Sequence, residues 1–438
     1  MKTLYVLIAF AGCASPSKKS ADTAADGDNT PTTYADILPI VEARCSNCHY
    51  DGGAGGFALD TVENLGLLHE EIADAVISER MPPWPAKDGP DYAYDWRLST
   101  EQIDTISAWS NAGAPEGDPS AQAETIDRIG SSISRVDLSL EMPEPYTPPD
   151  TSDDDYRCFP IPWTGDNTAY ITGFNAVPGN TQIVHHIAAY LIPKDNLMGD
   201  AVFEQLQAWE EEEDEPGYPC FGGPSGPTGD LQLPIQQLAQ WVPGSQGLDF
   251  PEGTGIEVTP GSWVVLQIHY NTATTTGPDQ TAIDFKLDDE VDALAAYAPW
   301  LNAAWTLGDM TIGAGEEGVS YSATAAPQGF FEFLNPSLDL DGGFRIHGSM
   351  LHMHRLGASG EISVLREDGT EEPILVIPEW DFDWQFSYEL ATPVDFREGD
   401  QLSLTCTYDN TGPDAVDVGW GEGSNDEMCV GNLYISQQ

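Results

Sequence analysis

Hydrophobic and polar residues follow three different patterns along the chain. Residues 4–10 form one short, continuous apolar run. Residues 34–115 carry apolar side chains at helical spacing, and Ser99 stands at a capping-box-like helix start. From about residue 134 onward, short alternating segments are broken by Gly, Pro, Asn and Asp, which is typical of β-sandwiches. We therefore predict a multidomain chain with a small all-α domain followed by all-β domains.

The N-terminal apolar run indicates export. It is far shorter than the roughly 20 residues of a membrane-spanning helix, and it suits a secretion signal. Small residues and Cys13 follow it, which resembles a bacterial lipoprotein signal with a lipidated cysteine; ordinary signal cleavage is the alternative. The predicted segments are a lipoprotein-type signal (1–13), a disordered tether (14–33), a helical domain (34–115), a linker (116–133) and two β domains (134–285 and 286–438).

The charge balance excludes some partners. The chain has 438 residues, with 72 Asp and Glu against 16 Lys and Arg, and a formal net charge of −56 at pH 7. Phosphate binding needs clustered Lys and Arg, so we expect neither nucleic acid nor anionic lipid headgroups as partners. Membrane contact is then expected only through the N-terminal lipid anchor. We predict a periplasmic or cell-surface protein that is lipid-anchored to the outer membrane.

A Cys-x-x-Cys-His motif is formed by Cys45, Cys48 and His49. Two thiols at this spacing can add to the vinyl groups of a haem, and the adjoining His supplies the proximal nitrogen. Met81 offers a thioether as sixth ligand, and His69 is the alternative. A zinc knuckle would need a second Cys/His pair, and only His69 is available nearby. This order of elements resembles a class I cytochrome c, which implies one covalently bound haem c with His49 and Met81 as axial ligands.

The other six histidines fall in three places: His185 and His186, His269, and His347, His352 and His354. Residues i and i+2 of a strand point to the same face, so His352 and His354 can present two imidazoles to one metal. An adjacent pair can share one metal only at a β-bulge or strand end. Imidazole suits Zn, Cu, Ni and Fe equally, whereas a thioether ligand favours copper. The distribution therefore predicts metal sites in the β domains.

The β region resembles the type II copper monooxygenases, the family of dopamine β-monooxygenase and peptidylglycine α-hydroxylating monooxygenase. The matching segments occur in the family's order: residues 183–187, 265–270, 352–357 and 426–429. The resemblance implies two tandem jelly-roll-like sandwiches that each hold one copper across a cleft. The implied ligands of the electron-transfer copper are His185, His186 and His269. The implied ligands of the catalytic, oxygen-binding copper are His352, His354 and Met428.

The resemblance also implies a disulfide between Cys406 and Cys429, which helps to position Met428. Taken by themselves, four cysteines allow three pairings. Once the family pair is accepted, Cys158 and Cys220 remain as a second pair by elimination.

The expected function is a copper-dependent monooxygenase that hydroxylates a C–H bond of a small organic substrate with O2. Met350 stands where peptidylglycine enzymes have an Arg for the substrate carboxylate, so recognition of a peptide C-terminus is not expected. The fused haem suggests that a redox protein or small reductant supplies electrons through it. The alternatives are a non-catalytic haem and copper electron-transfer or copper-binding surface lipoprotein, and an adhesion module with haem but no copper.

Overall fold

The computed structural model describes residues 32–53, 55–118, 132–150, 154–194, 199–220, 223–226, 235–273, 275–421 and 423–438. Cys13, the predicted signal and nearly all of the predicted tether lie outside the described residues.

Four helices form the N-terminal part of the described chain. They are α1 (Tyr34–Arg44), α2 (Val62–Leu67), α3 (His69–Ile77) and α4 (Thr100–Asn111). Helix α4 begins at a capping box, as predicted: the N–H of Gln102 donates to Ser99 Oγ at 3.2 Å, and the N–H of Ser99 donates to Gln102 Oε1 at 2.9 Å. Helices α1 and α3 both pack against α4 around a core that includes Ile37, Val76 and Trp109.

The N-terminal β domain pairs a five-stranded antiparallel sheet with one half of a larger sheet. The strands of the five-stranded sheet, in spatial order, are β5 (Tyr218–Pro219), β2 (Asp154–Pro162), β9 (Trp263–Asn271), β4 (Val184–Ile192) and β6 (Gln236–Trp241). Leu191 and Leu266 of this sheet share one core with Ile171 and Phe174 of the larger sheet. Helix α5 (Gly199–Glu211) follows β4.

The larger sheet has nine strands and is shared by both β domains. Its strands, in spatial order, are β1 (Leu138–Glu141), β10 (Ala282–Asp288), β3 (Ala169–Val177), β8 (Thr254–Val258), β11 (Ala293–Trp300), β20 (Val430–Gln437), β14 (Phe344–His352) and β17 (Tyr388–Phe396), with β7 (Leu248–Asp249) paired to β3. The two halves join where β8 and β11 pair in parallel, with Thr254 opposite Ala293. Because the ladder continues across this junction, the two β domains share one continuous sheet.

The C-terminal β domain packs a four-stranded sheet on the other half of the shared sheet. Its strands, in spatial order, are β13 (Glu317–Ala325), β18 (Gln401–Asp409), β15 (Gly357–Leu365) and β16 (Glu371–Ile377). A ribbon of β12 (Thr311–Ile312) and β19 (Val418–Gly419) contacts β13 through Thr311 and Tyr321, and α6 (Gln328–Leu334) packs against β11 of the shared sheet. In β18, Leu402, Leu404, Cys406 and Tyr408 are buried and alternate with more exposed neighbours, the period of a half-buried strand. The predicted β-sandwich architecture is confirmed; the shared sheet was not predicted.

Both predicted disulfides are confirmed, between Cys158 and Cys220 and between Cys406 and Cys429. Such bonds are typical of oxidising compartments outside the cytoplasm. None of the helices in the described residues has the length and apolar character to cross a membrane.

Candidate metal centres

Two adjacent histidines and one from the next strand form a cluster in the N-terminal β domain. His186 lies opposite His269 in the antiparallel pair of β4 and β9. The register of this pair shifts between Val184 and His186, so His185 is the extra residue of a β-bulge. Neighbours on a regular strand point to opposite faces, and the bulge is what brings both adjacent imidazoles to one place.

The ring nitrogens of this cluster converge. His186 Nδ1 lies 3.4 Å from His185 Nδ1 and 3.3 Å from His269 Nδ1. Ligand nitrogens of the three residues all lie within 4.8 Å of one another. Nitrogens that bind one ion at about 2.0–2.1 Å in a tetrahedral arrangement are about 3.3–3.5 Å apart. The spacing therefore fits three imidazoles around a single metal ion.

The outer side of the cluster orients the His269 ring. Its Nε2 lies 2.9 Å from Asp154 Oδ1, and the ring of Tyr156 stacks on it at 4.1 Å with the planes 5° apart. The hydrogen bond with His269 lowers the pKa of Asp154, so this carboxyl is ionised at neutral pH and can only accept. Nε2 then carries the hydrogen, and Nδ1 keeps a lone pair for a metal.

Burial keeps the adjacent pair uncharged. Desolvation, reinforced by the neighbouring His269, lowers the pKa of His185 to about 4 and holds that of His186 well below its ordinary value. Neutral imidazole is the form that binds metal. Both rings can therefore act as ligands at neutral pH.

A second cluster lies at the end of β14 in the C-terminal β domain. His352 is the last residue of the strand, and its ring centroid lies 5.0 Å from that of His354. His352 Nδ1 lies 2.6 Å from Gln385 Oε1, and His354 Nδ1 lies 3.1 Å from the backbone oxygen of Asp426. Both partners accept, so Nδ1 carries the hydrogen in each ring and Nε2 keeps the lone pair. The two clusters thus offer opposite ring nitrogens.

A buried carboxylate ties the segment that carries Met428 to this cluster. Glu427 has no exposed surface, and it accepts the backbone N–H of His354 at 2.9 Å and of Leu356 at 2.6 Å. Burial raises the pKa of Glu427 to about 7. Met428 follows directly and is itself buried, and its backbone oxygen accepts the hydroxyl of Tyr408 at 2.7 Å. The sequence pattern indicated Met428 but gave no role to Glu427. Glu427 bonds to backbone groups, and no pattern of side chains in the sequence reveals such partners.

The ring of Phe382 lies between the two clusters. Its centroid is 6.4 Å from that of His185, with the planes 20° apart, and 6.2 Å from that of His354, with the planes 84° apart. The guanidinium of Arg355 lies 5.7 Å above the same ring. One aromatic side chain thus contacts a histidine of each cluster. Sequence reasoning also missed Phe382, because it lies on a loop outside every motif.

The Cys-x-x-Cys-His motif follows α1. Cys45 and Cys48 are free thiols, and burial raises the pKa of Cys45 to about 12 and that of Cys48 to about 11. His49 Nδ1 lies 3.3 Å from the backbone oxygen of Phe57, which leaves Nε2 of that ring available. Met81 lies just beyond α3 and is partly exposed.

Two further histidines make hydrogen bonds that support the fold. His69 Nδ1 lies 2.9 Å from Ser110 Oγ where α3 meets α4, and His347 Nε2 lies 2.9 Å from Ser436 Oγ of β20. Neither belongs to a histidine cluster.

Both β domains match one family. Residues 138–276 match the copper type II ascorbate-dependent monooxygenase N-terminal domain, and residues 334–436 match the C-terminal domain of the same family. The two matches together cover more than half of the chain. The chain therefore belongs to the copper type II ascorbate-dependent monooxygenase family.

The chain is also similar to two curated animal proteins. It is 24% identical to DBH-like monooxygenase protein 2 of Mus musculus over 268 residues, which is 58% of this chain and 38% of that protein. It is 24% identical to dopamine beta-hydroxylase of Rattus norvegicus over 339 residues, 72% of this chain and 52% of that protein. The chain thus spans about half or less of each relative. A solved structure, the STIV MCP, matches with a TM-score of 0.27 at 9% identity over 68% of this chain and 95% of that one, a likeness too weak to carry an argument.

Proposed function

We propose that this chain is an exported copper-dependent monooxygenase that hydroxylates a C–H bond of a small organic substrate with O2. The residues that we assign to the N-terminal copper are His185, His186 and His269. The residues that we assign to the C-terminal, catalytic copper are His352, His354 and Met428. Those that we assign to a covalent haem c are Cys45 and Cys48, with His49 and Met81 as axial ligands. A lipid on Cys13 anchors the protein to the outer membrane.

The observation that carries this proposal is the position of Phe382, which contacts His185 on one side and His354 on the other. The two histidine clusters come from the two matched family domains and face each other across the interface between these domains. Two redox metals at such positions can act on the same small molecules. This arrangement favours an oxygenase over two unrelated structural metal sites.

Copper, when bound, supplies one-electron transfer and reaction with dioxygen. The chain's own residues prepare the ligands. Asp154 and Gln385 each hold one ring nitrogen of a histidine and leave the other for the metal. Met428 would add a soft thioether, which favours the reduced ion. Phe382 places an apolar ring between His185 and His354.

The haem assignment is supported by two guanidinium nitrogens of Arg44 that lack a hydrogen-bond acceptor in the described part of the chain. Nε and Nη1 of Arg44 are buried, and neither has a hydrogen-bond partner among the described residues. Burial lowers the pKa of Arg44, and the nearby Asp95 already pairs with Arg97 at 2.5 Å. Buried N–H groups without an acceptor are unfavourable, and a haem propionate would supply the acceptor. Arg44 directly precedes Cys45, so Arg44 and the haem-attachment cysteines are placed to contact the same haem.

The substrate is proposed to be neutral or cationic. A cavity of about 170 Å³ is lined by Met350, Glu389 and Asn432, among others, and no Lys or Arg contributes to its lining. Met350 lies two residues from His352 on the same face of β14, and the cavity lies along that strand, although neither His352 nor His354 lines it. A substrate carboxylate would find no Lys or Arg in the lining of this cavity; Arg355, whose guanidinium lies over the Phe382 ring, is outside it.

Iron and copper content per chain is the direct test. Elemental analysis follows export-competent expression, copper loading and removal of loosely bound metal. We expect one iron and two coppers, with iron in a covalent haem by the pyridine haemochrome spectrum. One iron without copper contradicts the monooxygenase assignment, and copper without iron contradicts the fused haem.

Matched variants locate each metal. His185→Ala with His186→Ala and His352→Ala with His354→Ala should each lose one copper, whereas His347→Gln, a buried histidine of β14 outside both clusters, should keep both. Oxygen consumption with a reductant and a hydroxylated product, detected by mass spectrometry across a panel of small substrates, separates an oxygenase from a non-catalytic electron carrier.

A further inference from the structure

The loop between α3 and α4 is docked on the edge of the shared nine-stranded sheet. The N–H of Ala93 donates to the backbone oxygen of Glu389 at 2.8 Å, and the N–H of Ala391 donates to that of Asp91 at 2.9 Å. The loop therefore pairs with the outer strand β17 and covers its free edge. The helical domain is thereby held in a defined position against the C-terminal β domain.

Aromatic contacts continue from this loop to the C-terminal histidine cluster. The ring centroid of Trp96 lies 4.9 Å from that of Phe386. One peptide bond joins Phe386 to Gln385, whose Oε1 lies 2.6 Å from His352 Nδ1. Trp96 is thus connected to a proposed copper ligand by one ring contact, one peptide link and one hydrogen bond.

At its other end Trp96 lies beside the haem-attachment motif. Gly244 of the N-terminal β domain has a φ of +90°, and a Cβ there would come within 2.8 Å of Cys48 Sγ and 3.5 Å of Trp96 Cη2. Glycine at this position permits the close approach of both side chains. Cys48 and Trp96 are therefore neighbours across one small residue.

We propose that Trp96, Phe386 and Gln385 form the path by which electrons pass from the haem-attachment motif to the C-terminal copper, which is then the first copper to be reduced. This inference rests on the proposed function, because haem and copper are assigned there. In the step, ferrous haem loses one electron and becomes ferric, and a cupric ion at the C-terminal cluster gains it and becomes cuprous. No bond is made or broken and no proton moves.

A second contact provides the comparison. Thr181 Oγ1 donates to the backbone oxygen of Gly52 at 2.7 Å, which joins the helical domain to the N-terminal β domain. From Thr181 the connection to His185 runs along the backbone of residues 181–185, and residues 49–52 separate His49 from Gly52, whereas the path through Trp96 crosses the single peptide bond between Gln385 and Phe386. Electron transfer weakens steeply with path length, so the path through Trp96 is favoured.

The test uses two single-copper proteins, one with His185→Ala and His186→Ala and one with His352→Ala and His354→Ala, each with its haem. Haem and copper content are measured for every variant. A flash-generated flavin radical reduces the haem under anaerobic conditions. Haem re-oxidation is followed by visible absorbance, and loss of the Cu(II) signal is followed by freeze-quench EPR.

In the protein that keeps only the C-terminal copper, Trp96→Leu or Phe386→Leu should slow haem re-oxidation by about tenfold, which corresponds to about 1.4 kcal/mol in the barrier. Trp96→Phe should restore most of the rate. Two control variants should leave the rate unchanged. Tyr92→Leu removes a ring from the same docking surface but not from the path, and Thr181→Ala removes the contact with Gly52.

Two results overturn the path: equal slowing by Trp96→Leu and Tyr92→Leu, or faster haem re-oxidation in the protein that keeps only the N-terminal copper. Wild-type protein without covalent haem or copper overturns the proposed function together with the path. Full haem and copper content with an unchanged rate in Trp96→Leu overturns the path alone.

Discussion

The carboxylate of Glu427 accepts the backbone N–H of His354 at 2.9 Å, although the two residues are 73 positions apart in the chain. With its second bond, to Leu356, it joins the end of β14 to the segment that precedes β20. We expect Glu427→Gln to weaken copper binding at the C-terminal cluster by about 10–100-fold, the range usual for groups that orient ligands. The amide nitrogen cannot accept either bond. Competition with a copper chelator measures the affinity.

Asp426→Asn is the matched control for this prediction. The Asp426 side chain contacts the backbone N–H of Gly423 at 3.3 Å, and its backbone oxygen, which holds the His354 ring, is unchanged by the substitution. Copper affinity should stay close to wild type. An equal loss in both variants would mean that local negative charge, rather than the geometry set by Glu427, governs binding.

At the N-terminal cluster, the equivalent support is the bond between His269 Nε2 and Asp154 Oδ1. We expect Asp154→Ala to weaken copper binding there by about 10–100-fold, because the His269 ring loses the group that sets its tautomer. The C-terminal copper should be unaffected. Asp155→Ala is the control, since Asp155 binds the hydroxyl of Tyr146 instead. Unchanged affinity in Asp154→Ala would contradict the assignment of His269 as a ligand.

Phe382 is predicted to hold the two clusters at a defined separation. In Phe382→Ala both histidine contacts disappear, and the two coppers should become more variable in their distance. The dipolar broadening in the EPR spectrum of the fully oxidised protein reports this change. Trp384→Ala, which removes a ring that stacks on Phe386, serves as control and should leave the spectrum as in wild type. Identical spectra for all three proteins would mean that the shared sheet alone sets the distance.

The metal-free protein should lose stability in acid partly through His347. Burial, with a smaller effect of Arg345 opposed by Asp395, lowers the pKa of His347 to about 4. In the unfolded chain the His347 side chain has its ordinary pKa of about 6.5, so it takes up a proton as the pH falls from 6.5 towards 4, while the folded protein does not. The folded state is therefore destabilised relative to the unfolded state over this range. We expect a loss of about 2–3 kcal/mol between pH 7 and 4.5 from this residue. Urea unfolding at both pH values measures it, and an equal loss in His347→Gln would show the prediction to be wrong.

The residues that bear on chemistry were largely visible in the sequence, because their signals are local. The i, i+2 spacing of His352 and His354 predicted that their rings would lie together, and their ring centroids are 5.0 Å apart, although β14 ends at His352 and His354 lies just beyond it. The adjacent pair His185 and His186 required a β-bulge, and the register shift before His186 supplies it. Alternation predicted the β-sandwich class for the same reason, since strand geometry repeats every two residues.

The sequence by itself determined which residues could bind metal, which four cysteines were available to pair, and that the region from about residue 134 onward is built of short strands. Only the tertiary structure decided how distant segments meet: Glu427 with the backbone of His354, Phe382 between the two clusters, and Trp96 against Phe386. These contacts involve backbone groups or loop side chains that are separated widely in the chain, so no local period encodes them. They arise because one nine-stranded sheet runs through both β domains and the loop between α3 and α4 pairs with its outer strand.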